Sequence, residues 1–193
     1  MVARLADMGR VIQFEERAVA TLRERLGEAE SARADLAAFA RGHSGAVATI
    51  HKAVVAALEA DDFDALAAVV TQEWPVMLGL DCVAMALLIG DQGFRIDAQG
   101  ISRCEPALIA RATGQVGDIA LRSVERGHPL FGEAAAWVRA EAFVALNAEA
   151  PFPRGLLLLG QAGAVAEGSD QGSQLLLFLG ASLGAMLRRW ASN

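Results

Sequence analysis

With 193 residues, 54% of them hydrophobic, the chain has material for one domain with its own core plus an extension. Aromatics supply only 6% and tyrosine is absent, so that core must be built from Ala, Leu and Val. A formal net charge of -6 offers no basic face for phosphate backbones, which argues against direct nucleic-acid binding.

Cys82 and Cys104 stand far apart without a Cys-x-x-Cys or Cys/His ligand spacing, so neither a disulfide framework nor a metal site is indicated. Arg4, Asp7 and Arg10 interrupt the N-terminus before an apolar run accumulates, unlike a secretory signal. The longest apolar stretch, Leu175 to Leu187, is too short to cross a bilayer and ends at Arg188-Arg189. These features predict a cytoplasmic protein with reduced thiols and no membrane attachment.

The first element is a heptad helix. With Leu5 at position a, the a row holds Leu5, Ile12, Val19, Leu26, Arg33 and Ala40, and the d row holds Met8, Glu15, Leu22, Ala29 and Leu36. A helix from Leu5 to Phe39 extends roughly 50 Å and cannot bury a narrow apolar stripe on itself. Ile12 and Val19 at a with Leu22 and Leu36 at d suit a parallel two-stranded coil, and Arg25 at g can face Glu30 at e of a second chain. Residues 1–41 are therefore expected to form a coiled-coil dimerisation helix with Leu5, Ile12, Val19, Leu22, Leu26 and Leu36 in its interface; a helix folded back on its own domain is the competing arrangement. Residues 42–193 form the globular domain.

Between the two lies Gly42-His43-Ser44-Gly45-Ala46, one residue short of a Gly-x-Ser-x-Gly nucleophile elbow. An elbow needs a strand before the serine, whereas helical periodicity lies on both sides here. Gly42 as a helix stop and Ser44 as the next N-cap explain the stretch as a break between helices. His43 and His51 are eight residues apart, too far for a helical metal pair, and His128 before Pro129 reads as a solvated loop imidazole. No phosphate loop or dinucleotide fingerprint is present. The chain is not expected to be an enzyme, with a serine hydrolase using Ser44 as a remote alternative.

Residues 46–60 read as an amphipathic helix. The stretch 61–80 reads as another, capped by Asp61 or Asp62 and bent near Pro75. At "DCVAMALLI" the period changes to that of a central strand, with Val83, Met85, Leu87 and Ile89 on one face and Cys82, Ala84, Ala86 and Leu88 on the other. Gly90 to Gly93 makes a hairpin turn into "FRIDA", with Phe94, Ile96 and Ala98 inward and Arg95 and Asp97 outward. A short helix from Glu105-Pro106 to Ala112 follows, then a third strand at "DIALRSV", a loop at "HPLFG" and a strand at "WVRAEAFVAL" that alternates Val138, Ala140, Ala142, Val144 and Leu146 against Trp137, Arg139 and Glu141. "GLLLLGQ" is another buried strand, and a Gly-rich loop leads to a helix from Asp170 to about Trp190. In that helix Gly180-x-x-x-Gly184 permits close approach of a neighbour, either a helix or the sheet. The sum is an α+β fold: an antiparallel sheet of about five strands flanked by helices, behind a long N-terminal helix.

"FEERAVATLRERL" at 14–26, "HKAVVAAL" at 51–58, "GLDCVAMAL" at 79–87, "VERGHPLFGEAAAWVRAEAFVAL" at 124–146 and "GLLLLGQ" at 155–161 together span nearly the whole chain. In this order they resemble the bacterial family catalogued as domain of unknown function 484, with "HPLFG" and the following strand the most distinctive piece. The resemblance implies a GAF-like domain behind an N-terminal coiled coil, a homodimer, and no established activity. It also implies a ligand space between the sheet and its covering loops, with Arg122, His128, Phe131 and Arg139 as its candidate residues. The cysteine and histidine clusters that GAF relatives use for bilin or haem are missing, so no cofactor is expected. The expected function is that of a non-catalytic, dimeric GAF-like regulatory or scaffold protein, with an unidentified small-molecule ligand and an unknown protein partner. The alternative is an accessory factor contacting a recombinase, which the family's gene neighbourhood suggests, or another protein.

Overall fold

The structure, a computed structural model, describes residues 45–146, 154–163 and 170–191. The heptad seam from Leu5 to Leu36, the Ser44 cap and the boundary at residues 41 and 42 lie outside the described residues. Val47–Asn193 forms one compact unit.

Helix α1 (45–58) buries Ile50, Ala53, Val54 and Ala57, the i, i+3, i+4, i+7 stripe of an amphipathic helix. Helix α2 (Phe63–Ala68) starts at Asp62, whose Oδ1 accepts the Ala65 N–H at 2.7 Å and so satisfies one orphan donor of the first turn. The chain then widens into a π-helical turn, Val69–Glu73, before α3 (Trp74–Leu78). Pro75 has no N–H for the ladder and crowds the preceding turn, so the expected bend is realised as this wide turn. Trp74 is fully buried, and its indole Nε1–H donates to the Ala53 carbonyl at 2.9 Å, tying α3 to α1.

Among the described residues six strands form one antiparallel sheet: β1 (Cys82–Ile89), β2 (Gln92–Asp97), β3 (Gly100–Cys104), β4 (Ile119–Ser123), β5 (Ala140–Leu146) and β6 (Arg154–Gln161). Their order is β3-β2-β1-β6-β5-β4, with the last strand in sequence inserted at the centre. The expected count of about five is corrected to six, the addition being β3. It is an edge strand with no fully buried residue and Ile101 51% exposed, so its sequence carries no strand-like apolar alternation. The β1–β2 hairpin turns at Gly90-Asp91 as expected, Gly90 supplying the positive φ of 62°.

Register assigns the two faces. Met85 pairs with Leu157 and Ile96, while Ala142 pairs with Leu159 and Val144 with Leu157. That face packs against α1, α2, α3 and α5 (Asp170–Ala191), which contributes Leu179, Leu183, Met186 and Leu187. A Cβ on Gly180 would collide with the Val144 side chain, so the small residue there serves helix-to-sheet packing. The opposite face carries Ala84, Ala86, Phe143, Leu156 and Leu158 under α4 (Pro106–Val116) and a 3-10 segment, Pro129–Ala136. Both faces of β1 are covered, as its continuous apolar run predicted.

Candidate functional site

The 3-10 segment with its flanks, residues 127–138, lies over the sheet on the α4 side as a cover segment. It replaces the loop expected at "HPLFG". Three glycines let it approach closely. A Cβ on Gly127 would meet Val138, one on Gly160 would meet Cys82, Val138 and Phe131, and one on Gly132 would lie 2.8 Å from Asp97 Oδ2. Gly132 also sits at φ 63° and ψ -130°, a conformation that side chains resist.

Beneath the cover lies Glu141, 4% exposed. Alternation sets it on the opposite side of its strand from Val144 and Leu146. It is buried because that side is covered too, by α4 and the cover segment. A buried carboxylate must be matched by donors, and Glu141 has two: Arg122 Nε at 2.6 Å on Oε1, and the His128 backbone N–H at 2.9 Å on Oε2. The first follows from register, since β4 sets Arg122 directly opposite Glu141. The second ties the start of the cover segment to the sheet.

Phe143, two residues along β5 and so on the same face, gathers the other groups. Arg122 Cζ stands 5.1 Å from its ring centroid, the His128 ring meets it edge-on at 5.4 Å, and the Phe131 ring lies 6.0 Å away. His128 is not the solvated imidazole expected from its loop. Its Nδ1 accepts the Leu130 N–H at 3.2 Å, which leaves the proton of the neutral ring on Nε2. Burial pushes its pKa down; Glu141 opposes that shift and Arg122 adds to it.

On β2, Arg95 and Asp97 are expected from sequence to point outward. They lie under Gly132 as an ion pair, Nε to Oδ2 at 2.8 Å, with side chains only 27% and 12% exposed. The contact is close but poorly aligned, and Arg95 Nε is a buried nitrogen without a hydrogen bond of good geometry. Between this pair and Glu141 a cleft of about 720 Å³ opens, lined among others by Arg126, His128 and Glu133.

A family model described as "Protein of unknown function, DUF484" matches residues 4–192. The chain belongs to the DUF484 family. The chain is similar to solved GAF structures. The GAF domain of an Acinetobacter phosphoenolpyruvate-protein phosphotransferase superposes with a TM-score of 0.53 at 11% identity, covering 75% of this chain and 93% of that one. A free methionine-R-sulfoxide reductase from Neisseria meningitidis, in complex with its substrate, gives 0.54 at 14% identity, with 75% and 89% covered. A bacteriophytochrome from R. palustris gives 0.54 at 11% identity, covering 74% of this chain and 37% of that one. Identities this low speak to fold alone, and the fold of this DUF484 member is GAF-like. No curated protein matches the sequence.

Of the site residues expected from sequence in this DUF484 chain, the structure gathers Arg122, His128 and Phe131 around Phe143. Arg139 is not among them. Its Nη1 donates to the carbonyls of Ala136 and Val138, at 3.1 and 2.9 Å, so it fastens the end of the cover segment; of the four, only His128 lines the cleft. Sequence reasoning passed over Glu141, Phe143, Arg95, Asp97, Arg126 and Gly132. A lone carboxylate inside the apolar run "AEAFVAL" was the signal available for Glu141. The Cys82 thiol is pushed up to about 12, chiefly by burial, with Asp81 adding and a Gly160 backbone hydrogen bond opposing. Burial also raises Cys104, against the pull of Arg95. Neither is a thiolate near neutral pH. Among the described residues no group of three or more His, Cys, Asp or Glu is placed to hold a metal ion, and no helix is long and apolar enough to cross a membrane.

Proposed function

We propose that this DUF484 protein is a non-catalytic regulatory or scaffold protein whose GAF-like domain senses a small molecule in the cleft beneath the cover segment. The observation that carries the reading is the cleft of about 720 Å³, a volume suited to a metabolite, floored by a carboxylate whose partners are already in place. A carboxylate held on both oxygens fixes the shape of the floor; the side chains at the walls that can donate include those of Arg95, Arg126 and His128. The protonated thiols and the ion-paired Glu141 favour binding over turnover. The heptad seam from Leu5 to Leu36 supports a homodimer, through which an occupied cleft would reach a partner protein.

The test is calorimetric titration of the full chain with nucleotides, amino acids and dicarboxylic acids, repeated on Arg126→Ala. Saturable binding of at least one compound, weakened by that change at an exposed position, supports the reading. Absence of binding across all three classes sinks it.

A further inference from the structure

A second cavity lies at the end of β1 remote from the β1–β2 turn, lined by both the cover segment and the π-helical turn. It holds about 210 Å³, and no arginine, lysine or histidine lines it. Two carboxylates in its wall make no ion pair among the described residues: Asp81, whose Oδ2 accepts the Ala162 N–H at 2.7 Å, and the exposed Glu133. A third, Asp97, is already matched by Arg95. The π-helical turn contributes Thr71, 4% exposed, whose hydroxyl gives its proton to the Ala67 carbonyl at 2.8 Å and so has only acceptor capacity left. Phe131 forms part of the wall, and Trp137, 40% exposed, completes it.

We propose that this cavity binds a small organic cation, an alkylammonium group set against Trp137 and Phe131 with Asp81 and Glu133 as its counter-charges. The chemistry is one-sided. The lining offers negative charge, a buried acceptor and aromatic faces, and a ligand complementary to it is positive and donates or is fully alkylated. An anion would meet two carboxylates that have no cationic partner among the described residues. A hard metal ion demands six or more oxygens, whereas most of this wall is carbon. The site is distinct from the cleft, with which it shares Glu133, and does not depend on the cleft's being a ligand site.

Calorimetric titration of the full chain with tetramethylammonium chloride, against sodium chloride at equal ionic strength, tests it. Saturable binding in the millimolar range is expected, weakened about tenfold by Trp137→Leu. Asp81→Asn, which keeps an acceptor for the Ala162 amide, should weaken it at least as much, and Arg126→Ala in the cleft should leave it unchanged. Thermal midpoints of the variants separate loss of the site from loss of the fold, and Glu133→Gln, at an exposed position, is the second charge variant should Asp81→Asn fail to fold. The assignment is overturned if no saturable heat appears, if Trp137→Leu binds as the parent does, or if sodium competes equally, since that would be screening of an acidic surface.

Discussion

A carboxylate that accepts one bond from a half-exposed arginine and another from a main-chain amide can be examined from either end. Glu141→Ala leaves the His128 amide without its acceptor and Arg122 without its counter-charge, and should cost about 2–3 kcal/mol in urea denaturation. Arg122→Ala should cost less. The arginine is 45% exposed, so water reaches the place it vacates, although Glu141 stays buried. His128 adds a pH dependence of definite sign. Because burial holds its folded-state pKa below the ordinary value, the unfolded chain takes up the proton first as pH falls. Its contribution to stability is therefore whole above about pH 6.5 and shrinks below that, levelling off under the depressed folded-state value. His128→Asn, which keeps an acceptor for the Leu130 amide, should flatten urea midpoints measured across that window. These details were hard to read from sequence. Alternation shows which residues share a strand face, and the pairs Glu141 with Phe143 and Arg95 with Asp97 each do, but it cannot show that another segment folds over that face.

Single elements are held by contacts of about the size of one hydrogen bond. Asp62→Ala should lower stability by about 1 kcal/mol through loss of the α2 cap, while Asp62→Asn should be nearly silent, both read from denaturant midpoints. Gly132→Ala combines a positive φ with a collision against Asp97 and Arg95, so about 1–3 kcal/mol should be lost. If the cleft binds a metabolite, affinity should fall with it, because the cover segment can no longer seat. Helices were the more legible elements. The stripe Ile50, Ala53, Val54, Ala57 and the cap at Asp62 follow from local chemistry, and Pro75 announced the bend that became the π-helical turn. β3 was invisible because an edge strand with one face in water needs no apolar pattern. The start of β5 was placed too early because Trp137 and Val138 alternate like strand residues while belonging to the cover segment.

At the scale of the molecule, the α+β class and the two-sided burial of β1 were readable, since a continuous apolar run with no solvent face must lie inside a covered sheet. The strand order was not, because antiparallel pairing between distant segments leaves no local trace. That order bears on how the protein is made. Cys82 pairs with Gly160 and Leu88 with Arg154, so the strand that completes the middle of the sheet is also the last to leave the ribosome. Until it arrives, β1 and β5 each present a bare, apolar inner edge, the kind of surface that recruits other chains. A product ending at residue 146 should therefore precipitate, and a peptide of residues 154–191 supplied during its synthesis should keep it in the supernatant. For a nascent copy the hazard lasts until β6 has been made and has emerged, so a message stalled or shortened before that strand is a direct source of aggregate.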